Sequence, residues 1–346
     1  MAPNSSPDPV ILIGAGRMGV SHAAALAELN HPVTHVCDSR PESLAAFRER
    51  FRLPADRCWQ DARELLQSQP QPYLVAIATT ADSHAELTCL AAKAGTRHVL
   101  CEKPMATSIA DCDAMLEACA NSGTKLAINH QMRFMDQYTL IKQELDTGRF
   151  GTLASMNVVA GCFGLAMNGS HYIEAFCYLT GSTPDKVTAW FAPAQLPNPR
   201  GSQFFDQAGE MRVVGASGQR LNLEIGADQG HGMTSLYATA YGHIFVDELA
   251  GNYIATARKA EHRDMPMTRY GMPWDRWQEA FPQADNVGPT KAVLQTLLDG
   301  GDYPDGERGR LVIATLAAAY KSAENGNMTV SVNDLVDCRT RRFPWA

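Results

Sequence analysis

The sequence predicts an α/β domain with a parallel sheet, followed by an α+β domain with an antiparallel sheet. Its 346 residues suffice for about two domains at roughly 150 residues each. From Val10 to about Ala127, short apolar runs alternate with helical patterns, as in repeated β-α-β units around a buried parallel sheet. After Asn129, β-type runs follow one another with few helices between them, which favours an antiparallel sheet. We therefore predict domains at 1–128 and 129–346.

The first domain is predicted to alternate strands and helices. The strands are expected at Pro9–Ile13, Val33–Cys37, Leu74–Ala78, His98–Cys101 and Lys125–Ile128. Apolar residues recur at helical spacing in the segments between and around them, which are Met18–Leu29, Pro41–Phe51, Ala62–Gln67, Ser83–Ala94 and Ile109–Ser122. Ser108 precedes the last of these, with Asp111 three residues on, so we expect Ser108 to cap that helix.

The second domain is predicted to open with a helix from about Asp136 to Thr147, because Gly148 is suited to the position after a helix end. Strands are expected at Leu153–Val159, Lys186–Phe191, Met211–Val214, Leu221–Ile225, Ser235–Tyr241 and His243–Leu249. Further helices are expected at His171–Leu179, Pro289–Leu298 and 306–325, the last of which is free to pack back on the first domain. Asn252–Trp277, with Arg269 and Tyr270, has loop character and is able to supply hydroxyl-binding or stacking groups to a sugar, but it better suits an oligomer contact or a lid.

Composition and charge exclude several classes of function. A net charge of −7 argues against a protein that binds nucleic acid, which would carry a basic face. No apolar run approaches the ~18 residues that a membrane span needs, and the first residues do not have the pattern of a secretory signal. The nine cysteines are scattered, with no Cys-x-x-Cys pair, so a reducing cytoplasm is expected and a metal site is not.

The strongest local motif is Gly14-Ala15-Gly16-Arg17-Met18-Gly19, which follows a predicted strand and opens a predicted helix. Glycines there permit a tight turn and close approach to a pyrophosphate, and the helix N-terminus supplies N–H donors. Asp38 ends the second predicted strand, where a carboxylate holds the ribose hydroxyls of NAD. This pattern predicts a Rossmann dinucleotide-binding domain. Asp38 favours NAD, but Arg40 is able to reach the phosphate of NADP, so NADP stays open.

A second motif, Cys101-Glu102-Lys103-Pro104, directly follows the predicted strand His98–Cys101. It therefore lies at the carboxyl edge of the sheet, where doubly wound folds bind their ligands. A lysine at this edge can donate hydrogen bonds to the oxygen atom that changes oxidation state. In isolation, Lys103 before a proline would more often be an ordinary surface lysine.

Together these motifs resemble the glucose-fructose oxidoreductase/inositol dehydrogenase/rhizopine-catabolism (Gfo/Idh/MocA) family. The segments that carry the resemblance are Gly14–Gly19, Asp38, Val75–Thr80 with His84, Ala94-Gly95 with Cys101–Pro104, Arg133 after Asn129-His130, Gly169–Glu174 and Leu179–Gly181. The resemblance implies a nucleotide-binding first domain and an open antiparallel sheet in the second, with the active site between them. It also implies oxidation or reduction of a hydroxyl of a sugar, sugar derivative or cyclitol. An exposed sheet face would need covering, so a homodimer or homotetramer is expected.

The resemblance assigns roles to residues by position. It implies that Lys103 is the catalytic lysine and His171 the general base, since a near-neutral pKa suits removal of a hydroxyl proton. The expected cofactor-binding residues are Gly14, Gly16, Arg17, Met18, Gly19, Asp38, Arg40, Thr79, Thr80, His84, Glu102 and Lys103. The expected substrate-binding residues are Lys103, Arg133, Asn168 and His171. His84 is equally suited to cap the next helix, and Arg133 to make a salt bridge between the domains.

One position departs from the family pattern. Many members have an aspartate four residues before the histidine, and here Met167 occupies that position. Asn168 is the expected substitute for hydrogen bonding a substrate hydroxyl, and Glu174, one helical turn after His171, is able to orient the imidazole. Both are equally compatible with structural roles.

Three functions remain to be distinguished. The leading one is an NAD(P)-dependent dehydrogenase that acts on CH–OH groups of sugars or cyclitols. The second is a redox-neutral glycosidase that reduces NAD only transiently, and the third is a non-catalytic NAD-binding regulatory protein. Retention of both Lys103 and His171 speaks against the third. An acyl-transfer hydrolase is disfavoured because no Gly-x-Ser-x-Gly motif occurs.

Overall fold

The computed structural model of the chain describes residues 9–161, 164–198, 200–230, 232–266, 273–283 and 285–346. The chain forms two compact units. The first comprises Met1–Gln131, Asp285–Ile313 and Arg339–Ala346, and the second comprises Met132–Ala284 and Ala314–Cys338. The first unit thus extends slightly past residue 128, where the first predicted domain ends. It also includes two later segments of the chain, and sequence periodicity could not reveal that they join it.

The first unit contains a six-stranded parallel sheet in the order β3-β2-β1-β4-β5-β6. The strands are β1 (Val10–Ile13), β2 (His35–Cys37), β3 (Cys58–Trp59), β4 (Leu74–Ile77), β5 (His98–Cys101) and β6 (Lys125–Ile128). The strand order reverses between β1 and β4, which makes the carboxyl ends of these two strands the switch point at which ligands bind. This arrangement confirms the predicted doubly wound parallel sheet.

Helices connect the strands of this sheet. They are α1 (Arg17–Glu28), α2 (Pro41–Phe51), α3 (Ala62–Ser68), α4 (Ala81–Lys93) and α5 (Ile109–Ser122). The strands β1, β4 and β5 are buried at every position, as expected when helices cover both sheet faces. The Ser108 hydroxyl accepts a hydrogen bond from the Asp111 N–H at 3.0 Å, which confirms the predicted cap of α5.

The second unit contains a nine-stranded sheet in the order β14-β13-β12-β11-β7-β10-β9-β8-β15. Its elements begin with α6 (Asp136–Asp146), β7 (Leu153–Gly161), α7 (Gly169–Thr180), β8 (Pro184–Pro197), β9 (Phe205–Gly215) and β10 (Arg220–Gly226). They continue with β11 (Met233–Thr239), β12 (Gly242–Asp247), β13 (Asn252–Arg258), β14 (Trp274–Ala280) and, near the end of the chain, β15 (Val330–Ser331). The later helices of the chain are α8 (Val287–Asp299) and α9 (Gly306–Glu324).

The prediction of an antiparallel sheet is correct for most of its strand pairs. The exception is β10, which pairs with β7 in parallel. The chain leaves β7 through α7, β8 and β9 before it returns beside β7, and a long crossover of this kind is what a parallel pair requires.

The prediction of loop character for Asn252–Trp277 is wrong at both ends of the segment. Residues there form β13 and the start of β14. The buried positions of β13 include the small residues Ala255 and Ala257, which give a weak apolar signal, and β14 is largely exposed along its length. Arg269 and Tyr270 lie outside the described residues.

The two faces of the large sheet differ. One is buried and includes Met156, Leu223 and Tyr237. The other exposes a row of apolar side chains from adjacent strands, Leu236, Phe245 and Ile254, which we call the open face. Phe245 retains 39% of its accessible surface there.

The described residues offer neither a membrane-spanning helix nor a cluster of metal ligands. No helix in these ranges has the length and apolar character to cross a bilayer. In the same part of the chain, no group of three or more His, Cys, Asp and Glu side chains is placed to hold a metal ion.

Candidate functional site

The glycine loop joins β1 to α1 at the switch point of the parallel sheet. Gly14 has a φ of +99°, and a Cβ atom there would lie 2.6 Å from the carbonyl of Ala78. A Cβ atom on Gly19 would lie 1.9 Å from the Gly14 oxygen. Glycine is therefore required at both positions, because three backbone segments meet there. Gly16 is the N-cap of α1 and offers no side-chain cap, so the first N–H groups of the helix suit a pyrophosphate.

Asp38 lies directly beside this loop. Its Oδ2 accepts a hydrogen bond from the Ala15 N–H at 2.8 Å, and its Oδ1 accepts one from the Arg40 N–H at 2.9 Å. The Arg40 Nε is 3.3 Å from Oδ1, while 60% of the Arg40 side chain is exposed. The glycine loop thus fixes the position of the carboxylate, and each oxygen can accept a further hydrogen bond from a ribose hydroxyl. A cavity of about 490 Å³ lies between α1 and α2 and is lined in part by Ala15, Gly16 and Arg17.

Thr79, Thr80 and His84 follow β4 at the same edge of the sheet. Thr80 is the N-cap of α4, and the Thr79 hydroxyl lies 2.7 Å from that of Ser83. The Nδ1 of His84 is 2.9 Å from the Pro104 carbonyl oxygen, and Nε2 is 3.3 Å from that of Thr79. Burial lowers the pKa of His84, despite these backbone partners. The ring lies within α4, not at its cap, and links the Thr79 turn to the turn that contains Lys103.

Glu102 is the buried neighbour of Lys103. Its Oε1 lies 2.8 Å from the His22 Nε2 and accepts a hydrogen bond from the Asn129 side-chain amide at 2.7 Å. Its Oε2 accepts one from the Lys103 N–H at 3.2 Å. Burial raises the pKa of Glu102, but the hydrogen bonds and the charges of His22 and Lys103 outweigh it and lower the pKa to about 2. The carboxyl group is therefore ionised at neutral pH.

Sequence reasoning missed His22 and Asn129 as members of this site. A signal for His22 did exist, since it follows Gly19 by three residues and shares the buried side of α1 with it. Asn129 follows β6 at the carboxyl edge, where ligand-facing residues are expected.

In the second unit, the N-terminus of α7 carries Asn168 and His171. Asn168 is the N-cap and makes no side-chain cap, and its amide nitrogen is 3.6 Å from the Met233 sulfur. His171 lies in the first turn of the helix and is buried. The turn before the helix is anchored by Asp206, whose carboxylate accepts hydrogen bonds from the N–H groups of Ala166 at 2.9 Å and Met167 at 2.6 Å. Although position 167 is a methionine, a carboxylate from β9 therefore holds this turn.

Arg133 and Glu174 form a buried salt bridge within the second unit, with 3.2 Å between Arg133 Nη1 and Glu174 Oε1. The Arg133 guanidinium also lies over the Tyr178 ring, 4.7 Å from its centroid. Both partners belong to the second unit, so this salt bridge does not join the two units.

The predicted residues therefore form two groups. The glycine loop, Asp38, Thr79 and Lys103 follow strands of one parallel sheet and so share its carboxyl edge. Asn168 and His171 share the first turn of α7, and Arg133 contacts the same helix through Glu174. Lys103 and His171 belong to different units.

The sequence model of an oxidoreductase family with an NAD-binding Rossmann fold matches residues 9–130. The D-apiose dehydrogenase of Paraburkholderia graminis is 33% identical, over 94% of this chain and 89% of that protein. The myo-inositol 2-dehydrogenase of Thermotoga maritima is 29% identical over 40% of this chain and 41% of that protein.

Among solved structures, an oxidoreductase from Agrobacterium radiobacter in complex with NAD+, L-tartaric acid and magnesium superposes with a TM-score of 0.80. That likeness covers 96% of this chain and all (100%) of the other at 19% sequence identity, so it shows a shared fold.

Proposed function

The chain belongs to the Gfo/Idh/MocA family of NAD-binding oxidoreductases, and on this premise we propose that it transfers a hydride between NAD and a hydroxyl or keto carbon of a sugar or cyclitol. The proposal rests on one observation: Lys103, the glycine loop and Asp38 all lie at the carboxyl edge of the parallel sheet. Two relatives are named as dehydrogenases of D-apiose and myo-inositol, and these names support a sugar or cyclitol as the substrate.

The first unit is proposed to hold the cofactor, which accepts or returns the hydride when bound. The N–H groups of residues Gly16–Gly19 bind the pyrophosphate, and the Asp38 carboxylate accepts hydrogen bonds from the adenosine ribose. Thr79 and Thr80 line the cofactor crevice. His84 and Glu102 fix the adjacent turns, so their contribution is to hold Thr79 and Lys103 in place.

Proton transfer and substrate binding are assigned to the four side chains that the family resemblance singles out. Lys103 donates a hydrogen bond to the reacting oxygen, and the His171 imidazole removes the hydroxyl proton as the C–H bond breaks. Asn168 and Arg133 bind further substrate hydroxyls, and Glu174 holds the guanidinium of Arg133 in place. A family aspartate is not needed to order the turn before His171, since Asp206 does so.

The proposal is tested by the absorbance of reduced nicotinamide at about 340 nm, with NAD or NADP and a panel of pentoses, pyranoses, cyclitols, sugar acids and aryl glycosides. We expect a sustained rise with NAD and at least one free sugar or cyclitol. Cleavage of an aryl glycoside with no lasting rise would instead identify a redox-neutral glycosidase. Cofactor binding without any conversion across the panel would favour a non-catalytic regulatory protein.

Cofactor choice gives a separate prediction. Asp38→Ala removes the acceptor for the ribose hydroxyls, and the loss of charge-assisted hydrogen bonds should weaken NAD binding about 10- to 100-fold. The same change removes a negative charge that would repel the phosphate of NADP, so NADP should bind better. Fluorescence titration with NADH and NADPH measures both effects.

Arg40→Ala is the matched control for this comparison, because it removes the partner of Asp38 and leaves the carboxylate. We expect NAD affinity to be retained in this variant. If Asp38→Ala leaves NAD affinity unchanged while Arg40→Ala abolishes NADPH binding, NADP is the preferred cofactor and the assignment is wrong.

The open face gives a prediction about assembly. We propose that a second copy of the chain covers Leu236, Phe245 and Ile254, because a contiguous apolar patch is unfavourable in water. Phe245→Arg should therefore shift a dimer or tetramer to a smaller species in light scattering coupled to size exclusion. Leu249→Arg is the control, since Leu249 is 77% exposed and lies beyond the end of β12. A wild-type monomer at micromolar concentration would contradict the proposal.

A further inference from the structure

A buried hydrogen-bond cluster surrounds Glu102 and connects four parts of the first unit. It contains His22 from α1, Glu102 after β5, Asn129 after β6 and Thr290 from α8. All four side chains are buried. The Glu102 carboxylate is the centre, because it accepts hydrogen bonds at both oxygens and the backbone N–H of Lys103 is among its donors.

The directions of these hydrogen bonds follow from the charge of the carboxylate. An ionised carboxylate only accepts, so the His22 Nε2 that lies 2.8 Å away must be the protonated nitrogen. Asn129 presents its amide nitrogen to the same oxygen and also lies 3.3 Å from the Thr290 hydroxyl. One oxygen of Glu102 is therefore held by two donors from different elements, while the other oxygen receives the Lys103 N–H.

We propose that His22 and Asn129 are positioning residues for Lys103, which they hold through the Glu102 carboxylate. The inference rests on the proposed function of Lys103. His22 follows Gly19 by one helical turn, so the helix whose N-terminus is assigned to the pyrophosphate also supports the turn that contains the lysine. The position of Lys103 is thereby tied to the cofactor-binding helix. Misplacement of a reacting group by about 1 Å can cost about 100-fold in rate.

The test compares two substitutions of His22. His22→Gln keeps an N–H donor that can reach Glu102, whereas His22→Leu keeps comparable bulk and has no donor. The first readout is hydrogen–deuterium exchange of residues 102–106, which include the Lys103 amide. The second is the separation of kcat from KM and from the Kd of NADH. His98→Leu is the matched control, since His98 is a buried histidine at the opposite end of β5.

We expect His22→Leu to speed exchange at 102–106 by at least about tenfold. We expect it to lower kcat by about 100-fold with little change in the Kd of NADH. His22→Gln should stay near the wild type in both readouts, and His98→Leu should leave exchange at 102–106 unchanged. Asn129→Ala removes the other donor and should also speed exchange, so the outcome does not depend on the folding of one variant.

Equal behaviour of His22→Leu and His22→Gln would overturn the inference, whether both match the wild type or both lose protection. The exchange readout does not depend on turnover. If exchange responds as expected and Lys103→Ala retains full activity, the positioning is upheld and the proposed function of Lys103 fails. If Lys103→Ala is inactive and exchange does not respond, the positioning alone is refuted.

Discussion

Replacement of Lys103 by methionine is expected to lower kcat by about 10²- to 10⁴-fold, the usual contribution of a positioned acid or base. Methionine keeps most of the length of the side chain and removes the ammonium group. The backbone N–H of residue 103 can still donate to Glu102, so the turn should remain in place. The effect should therefore appear in kcat, with the Kd of NADH unchanged.

Lys93→Met is the control for this substitution, because Lys93 is an exposed lysine at the end of α4. It should behave as the wild type. Initial rates at saturating cofactor measure kcat and KM, and fluorescence titration measures NADH binding. If the Lys103→Met variant turns over at the wild-type rate, Lys103 takes no part in the reaction and is an ordinary surface lysine.

The second large effect is expected at His171. His171→Ala should lower kcat by about 10²- to 10⁴-fold, because the base that removes the hydroxyl proton is lost. The side chain is only 6% exposed, so its removal also leaves a cavity in the first turn of α7. Free imidazole is small enough to occupy such a space, and we expect it to restore part of the activity.

Rescue by imidazole separates chemistry from packing, because a loss of stability alone would not respond to an added base. His243→Ala is the control, since His243 is an exposed histidine on β12 of the same unit. A lower melting temperature with full turnover in His171→Ala would show that His171 is a packing residue. The same result would leave the general base of the reaction unidentified.

Local features of the sequence were sufficient to predict most strands and helices of the parallel sheet. The bounds of Pro41–Phe51, Ile109–Ser122 and His98–Cys101 agree with the structure. The reason is physical: buried parallel strands are continuous apolar runs, and helices begin and end at residues that satisfy their terminal backbone groups. The strand β3 was missed because it contains only Cys58 and Trp59.

Long-range pairing could not be predicted in the same way. The parallel contact of β10 with β7 depends on the path of the chain through three intervening elements, and no local pattern encodes it. Likewise, β13 and β14 are stabilised as strands by their neighbours in the sheet, since one has small buried residues and the other is largely exposed.

The same distinction applies to the candidate site. The glycine loop and Asp38 follow from motif and spacing, because the tight turn requires glycine and the carboxylate directly follows the second strand. The partners of the site residues are remote in sequence: His22 and Glu102 are 80 positions apart, and Met167 and Asp206 are 39 positions apart. Only the fold brings these groups together, which is why Asp206, His22 and Asn129 were not predicted as site residues.

The most direct test of the central claim is the fate of hydrogen on the substrate carbon. The enzyme is supplied with NAD and a carbon-deuterated form of the sugar or cyclitol that gives the greatest rise in absorbance, and the reduced cofactor is analysed by mass spectrometry. Direct hydride transfer requires that each NADH formed carries one deuterium atom from the substrate. NADH without deuterium would contradict the proposed transfer, as would a complete failure of the deuterated and ordinary substrates to reduce NAD.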